Sequence, residues 1–134
     1  MKLKYSILMV VLMCAGMATA VQADIYVIAN ASVDLNPEDI RDVFIGEKLL
    51  STGVKLVPVD NASAQAEFLS KVMLLDLNKY NSIWTKKGFR DGLNAPDVRP
   101  SDTDVILYVK KTPGAIGYVS SLGTTTGFKT IKHY

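Results

Sequence analysis

Apolar and polar positions fall into short blocks along the chain, and their spacing predicts alternating strands and helices. Asp24-Ile25-Tyr26-Val27-Ile28-Ala29 is almost continuously apolar, the pattern of a strand covered on both faces. A first helix is announced by Asn36 as cap, Pro37 at the first helical position, and Glu38 and Asp39 at the positive end of the dipole. Ile40, Val43 and Phe44 share its inner face and Gly46 stops it. Val54-Lys55-Leu56-Val57-Pro58-Val59 reads as the next strand, with its proline near an end. A second helix is predicted from about Ser63, with Phe68, Leu69, Val72 and Met73 inward, and a third after Asp76, with Leu77, Tyr80 and Trp84 inward. Residues 88–100, rich in Gly, Pro, Asn and Asp, read as a loop.

Ser101, with Asp104 three residues on, opens a fourth helix whose inner positions are Val105, Tyr108 and Val109, and Thr112-Pro113-Gly114 ends it. Ala115-Ile116-Gly117-Tyr118-Val119 is then a strand, with residues 128–133 as its hairpin partner. The order β-α-β-α-α-α-β-β predicts a single α/β domain with a mixed sheet flanked by about four helices.

The segment before the first strand belongs to a different class. Lys2 and Lys4 precede an unbroken apolar run, Ile7 to Ala15, and small residues lead to Val21-Gln22-Ala23. This is the pattern of a secretory signal peptide with a small-x-small cleavage site at Ala23, and the run is too short to span a bilayer. The domain is therefore expected to be periplasmic or secreted over residues 24–134, with no transmembrane segment in the mature chain. Cys14 as a lipidation site fits less well, because Val11-Leu12-Met13 lack the small residue expected next to such a cysteine.

Removing these 23 residues from the 134 leaves 111, and takes away two of the fifteen basic side chains. Thirteen basic residues then face thirteen acidic ones, so the formal charge of +2 belongs to the leader. A neutral domain with no Lys/Arg cluster has no field to attract nucleic acid or anionic lipid. The only cysteine leaves with the leader, so the mature chain has neither disulfide nor thiolate.

Catalytic chemistry is thinly represented. His133 stands next to last, no Asp/Glu set has metal-ligand spacing, and no serine lies in a Gly-x-Ser-x-Gly elbow. The chain is thus expected not to be an enzyme and to need no metal or cofactor. Trp84 and Phe89 read as the edge of a core rather than as a stacking platform, and Asp102 and Asp104 as first-turn residues of the fourth helix. The turn Asp60-Asn61-Ala62-Ser63-Ala64-Gln65 is the best candidate for binding, since a strand running into a helix leaves backbone N–H groups free for an anion. Asn61 or Ser63 acting only as helix cap is the simpler reading of the same residues. Asn30 and Ser32, just past the first strand, are added to Asn61, Ser63, Ala64 and Gln65 as candidate ligand-binding residues lying near strand ends.

Four segments in order carry a resemblance. Asp39-Ile40-Arg41-Asp42-Val43-Phe44-Ile45-Gly46, Val57-Pro58-Val59-Asp60 with Ala66-Glu67-Phe68, the stretch from Trp84 through Phe89-Arg90-Asp91-Gly92 to Pro96, and Thr112-Pro113-Gly114-Ala115-Ile116-Gly117-Tyr118-Val119 resemble the substrate-binding proteins of phosphate ABC importers. The resemblance implies one lobe of a type II periplasmic-binding-protein fold. It also implies phosphate or another small oxyanion as ligand. In that family a Ser-Gly-Thr turn at a helix start, preceded by an arginine, holds the phosphate. Here Ser63 matches the serine, the glycine and threonine are missing, and Asp60 lies where a cation would help. Weak or lost oxyanion binding is the expectation. The alternative is an interaction or sensory module on one lobe, with an envelope protein or a second copy of the chain as partner.

Overall fold

The apolar run at residues 25–29 needs cover on both faces and on both edges, and the fold supplies it. The computed structural model describes residues 23–123 and 126–134; the leader expected over 1–23, Cys14 included, lies outside them except for Ala23. In chain order the elements are β1 (Tyr26–Ala29), a 3-10 turn (Pro37–Asp39) leading into α1 (Ile40–Phe44), β2 (Leu50–Ser51), β3 (Val54–Lys55) and β4 (Val57–Asn61). There follow α2 (Gln65–Phe68), continued by a π-helical turn (Leu69–Met73), α3 (Leu77–Asp91), β5 (Asp97–Arg99), α4 (Asp102–Lys111), β6 (Ala115–Val119) and β7 (Lys129–His133). Five strands form one mixed sheet in the order β5-β4-β6-β1-β7. β4 runs parallel to β5 and β6, and β1 runs antiparallel to both β6 and β7.

The two faces are assigned by strict alternation. Val27, Ala29, Ile116 and Tyr118 point to one face, where they pack with Ile40 and Phe44 of α1, Phe68 and Met73 of the second helical segment, and Tyr80 and Trp84 of α3. Ile28, Val59, Ala115 and Val119 point to the other, against Val105, Ile106 and Val109 of α4. The domain is therefore an α/β sandwich, with three helices on one side of the sheet and one on the other. Gly117 lets α4 approach, since a Cβ there would stand 2.7 Å from Val105 Cγ1 and 2.9 Å from Val59 Cγ1. Asp76 caps α3 by accepting from Lys79 N at 2.7 Å, and Ser101 caps α4 by accepting from Asp104 N at 3.3 Å.

Several local expectations are corrected. Residues 128–133 do not form a hairpin with β6, because β1 lies between them. β1 is buried on both faces and needs a neighbour on each edge, whereas β7 is mostly exposed and serves as an edge strand. The predicted loop at 88–100 is shorter than expected: α3 runs on to Asp91, Gly92 ends it at φ +66°, and Asp97–Arg99 adds an edge strand along β4. A two-residue hairpin joins β2 to β3 through Thr52 and Gly53, both at positive φ. Asn36 adopts the extended backbone of a cap but its side chain makes no capping hydrogen bond. Leu77 is 49% exposed and Phe89 91% exposed, so neither belongs to the core.

Candidate functional site

Because β4, β5 and β6 are parallel, their carboxyl ends share one edge of the sheet, the place where open α/β sheets usually hold ligands. Asn61 ends β4 there, fully buried. Its Nδ2 donates to Asp102 Oδ1 at 2.7 Å and to the Tyr118 carbonyl at 3.0 Å. Its Oδ1 accepts from Ser63 N at 3.1 Å and from Ser63 Oγ at 2.6 Å. The Asn61 side chain thus stitches the start of the β4–α2 turn to the end of β6 and to the start of α4.

Asp102 is the hub of this edge. Besides Asn61, its carboxylate accepts from Ser120 N at 3.2 Å, from Ser120 Oγ at 2.6 Å and from Ser121 N at 3.1 Å. Partial burial works to raise its pKa, but hydrogen bonds from Ser120, Asn61 and the Ser121 backbone outweigh that and hold the carboxyl below its usual range. Asp102 is therefore more than a first-turn residue. It ties α4 to the loop after β6, and Ser101 does the capping. At the end of β5, the Arg99 guanidinium lies 4.5 Å from the centre of the Tyr108 ring.

One residue earlier, Asp60 points to the opposite face and is buried in the core. Tyr80 Oη donates to its Oδ2 at 2.7 Å and Tyr118 Oη to its Oδ1 at 2.8 Å. Burial raises the Asp60 pKa, with the two phenolic donors opposing the rise, and burial beside that carboxylate pushes both tyrosines up. Tyr118 is in turn stacked on Phe68 at 3.8 Å between ring centres.

The two carboxylates have opposite effects on stability as pH changes. The raised Asp60 contributes stability that is complete below the ordinary carboxylate pKa and is lost as pH rises through its elevated value. The lowered Asp102 contributes stability present above the ordinary value and lost as pH falls through its depressed one. Urea unfolding at a series of pH values is expected to show the parent protein gaining stability relative to Asp60→Asn as pH falls from neutral toward 4. Parallel pH profiles for the two proteins would refute this assignment.

The candidate residues from the sequence do not all meet. Asn61 and Ser63 are together at the strand edge, with Ser63 exposed. Ala64 turns its side chain into the core, and Gln65 begins α2 half-buried. Asn30 and Ser32 lie at the other edge of the sheet, since β1 runs against β4 and β6. There Asn30 Nδ2 donates to the Val109 and Lys110 carbonyls at the end of α4, and Ser32 Oγ accepts from Gly114 N at 2.9 Å. These two residues secure the α4–β6 connection. Asp102 was missed as a member of the site, because its partners are 41, 18 and 19 residues away in the chain.

His133 stacks on Tyr26 with ring centres 4.2 Å apart, and its Nε2 lies 3.1 Å from Asp24 Oδ1. Among the described residues, no group of three or more His, Cys, Asp or Glu side chains is placed to hold a metal ion, and no helix is long and apolar enough to cross a membrane. No protein-family model matches the chain, and no curated protein matches it.

Proposed function

We propose that this is an exported, non-enzymatic domain with the form of one lobe of a type II periplasmic-binding protein, in which the chain's own Asp102 occupies the oxyanion position. Capture of free phosphate is lost as a result. The observation that carries this reading is the set of donors converging on the Asp102 carboxylate: a side-chain amide, two backbone N–H groups and a hydroxyl. Such a set suits a small oxyanion, and a carboxylate already satisfies it.

A second anion about 4 Å from Asp102 would be opposed by about 4 kcal/mol at an effective dielectric of 20. That corresponds to roughly a thousandfold in affinity. A single lobe also covers a ligand from one side only, and ligand sites of this kind rely on enclosure. The chemistry of the edge is that of a binding scaffold. Ser63 Oγ gives its proton to an amide oxygen, which is no base, and the carboxylate beside Ser120 is held ionised.

Titration calorimetry of the protein with phosphate and with sulfate is expected to be silent up to millimolar anion. Asp102→Ala, which frees the same donors, is expected to gain weak sulfate binding. Saturable heat at micromolar phosphate in the parent protein, lost in Ser63→Ala, would overturn the reading.

A further inference from the structure

At the far edge of the sheet from Asp102 lies a cleft of about 450 Å³, within the range of small-molecule pockets. The β2–β3 hairpin and the beginning of β4 form one wall, and α3 with the segment at residues 92–97 forms the other. Leu49, Pro58 and Leu93 give it accessible apolar surface, with the buried Leu56 and Trp84 behind them. Trp84 is held rigidly, because its Nε1 donates to the Phe44 carbonyl at 3.0 Å. Gly46 allows the indole to come so close to the backbone: a Cβ there would stand 2.8 Å from Trp84 Cη2.

The polar groups of the cleft are unevenly placed. Lys48 and Lys55 come from the hairpin side, and the one lining carboxylate, Asp97, comes from the β5 side. Lys48 Nζ has only a loose contact with Asp39, at 3.8 Å, and Lys55 makes no ion pair among the described residues. The hairpin brings the two lysines to the same end, since Leu56 N donates to the Leu49 carbonyl at 2.9 Å and Leu50 is paired with Lys55. A cleft of mixed lining, with an indole beneath it, Lys55 outside any ion pair and Lys48 held only loosely by Asp39, complements a small molecule with an apolar body and one negative head.

We propose that this cleft binds a small amphipathic carboxylate, its apolar body against Leu49, Pro58 and Leu93 over the Trp84 indole and its carboxylate at Lys48 and Lys55. The assignment is independent of the strand edge that Asp102 fills, so either can fail without the other. It also gives a place for a ligand in a domain that does not hold free phosphate.

Trp84 is the only tryptophan in the chain, so its fluorescence reports directly on the cleft. Titration of the protein with phenylacetate is expected to give a saturable change in emission with half-saturation below millimolar. Phenethyl alcohol, of similar shape without the charge, is expected to bind at least about tenfold more weakly, as is phenylacetate to the Lys48→Gln, Lys55→Gln double variant. Ala95→Phe, a change at an exposed residue of the lining, is expected to fill the slot and abolish the response. Far-UV circular dichroism and thermal melting establish that each variant is folded; if Ala95→Phe is not, the lysine variant and the alcohol decide the matter. The proposal is overturned by no saturable response at millimolar phenylacetate, by full affinity in folded Ala95→Phe, or by equal affinity for the alcohol.

Discussion

Gly114→Ala is expected to lose about 4 kcal/mol of stability, a large part of what a domain of this size possesses. Gly114 sits at φ +81°, where an L-residue costs about 1–2 kcal/mol. A Cβ there would also overlap the Lys55 carbonyl oxygen, which is backbone and cannot swing aside. Relief requires β6 to move away from the β3–β4 connection, against the hydrogen bond that Val57 N donates to the Gly114 carbonyl at 2.9 Å. Gly53 is the matched control. It has the same φ of +81° in the β2–β3 turn, but nothing lies within 4 Å of its would-be Cβ. Gly53→Ala should therefore cost only the backbone part, about 1 kcal/mol. Urea unfolding of the two variants separates the contributions, and equal losses would show that the close approach at Gly114 does not matter.

Asp60→Ala is expected to cost about 3 kcal/mol, because it strands the hydroxyls of Tyr80 and Tyr118 in the core without an acceptor. Asp60→Asn keeps the volume and an acceptor, and removes a buried charge that the protein has to stabilise. Its cost should be within about 1 kcal/mol. The comparison tests what the carboxylate does in the parent protein. If the asparagine variant is as unstable as the alanine variant, the negative charge itself is required. If alanine is as well tolerated as asparagine, the two phenols find other partners and the network contributes little.

The parts of the fold visible in the sequence are those that local chemistry determines. The apolar runs at β1 and β6, the start of α4 at Ser101, and the inward positions Phe68, Tyr80, Val105 and Val109 all follow from spacing and end signals. β5 was invisible because three residues with an exposed Val98 carry no periodicity, and only the open edge of β4 makes them a strand. The partner of β7 was misassigned for a related reason. Nearness in sequence favours β6, but β1, buried on both faces, takes the place between them.

The candidate site divides in the same way. Asn61 and Ser63 were legible, since a strand running into a helix announces a polar turn. Asn30 and Ser32 resembled them locally, but the direction of β1 puts them at the opposite edge. Strand direction is a long-range property that a six-residue pattern does not carry. Asp102 looked like an ordinary first-turn acid, because the groups that give it another role come from β4 and from the loop after β6. Asp60, next to the turn in sequence, suggests an obstacle to an anion there, whereas its side chain points through the sheet into the opposite layer.

The position of β1 also governs when the domain can form. Both of its neighbours, β6 and β7, lie in the last twenty residues of the chain, and Ile25 exchanges backbone hydrogen bonds with Tyr134. A chain emerging amino end first therefore presents its most apolar strand long before anything can pair with it. The sheet closes only when the carboxyl end arrives, and pairing over such separations is slow to nucleate. Until then β1 has no strand to pair with, although the helices and the β4–β5 pair are built entirely from residues that precede β6.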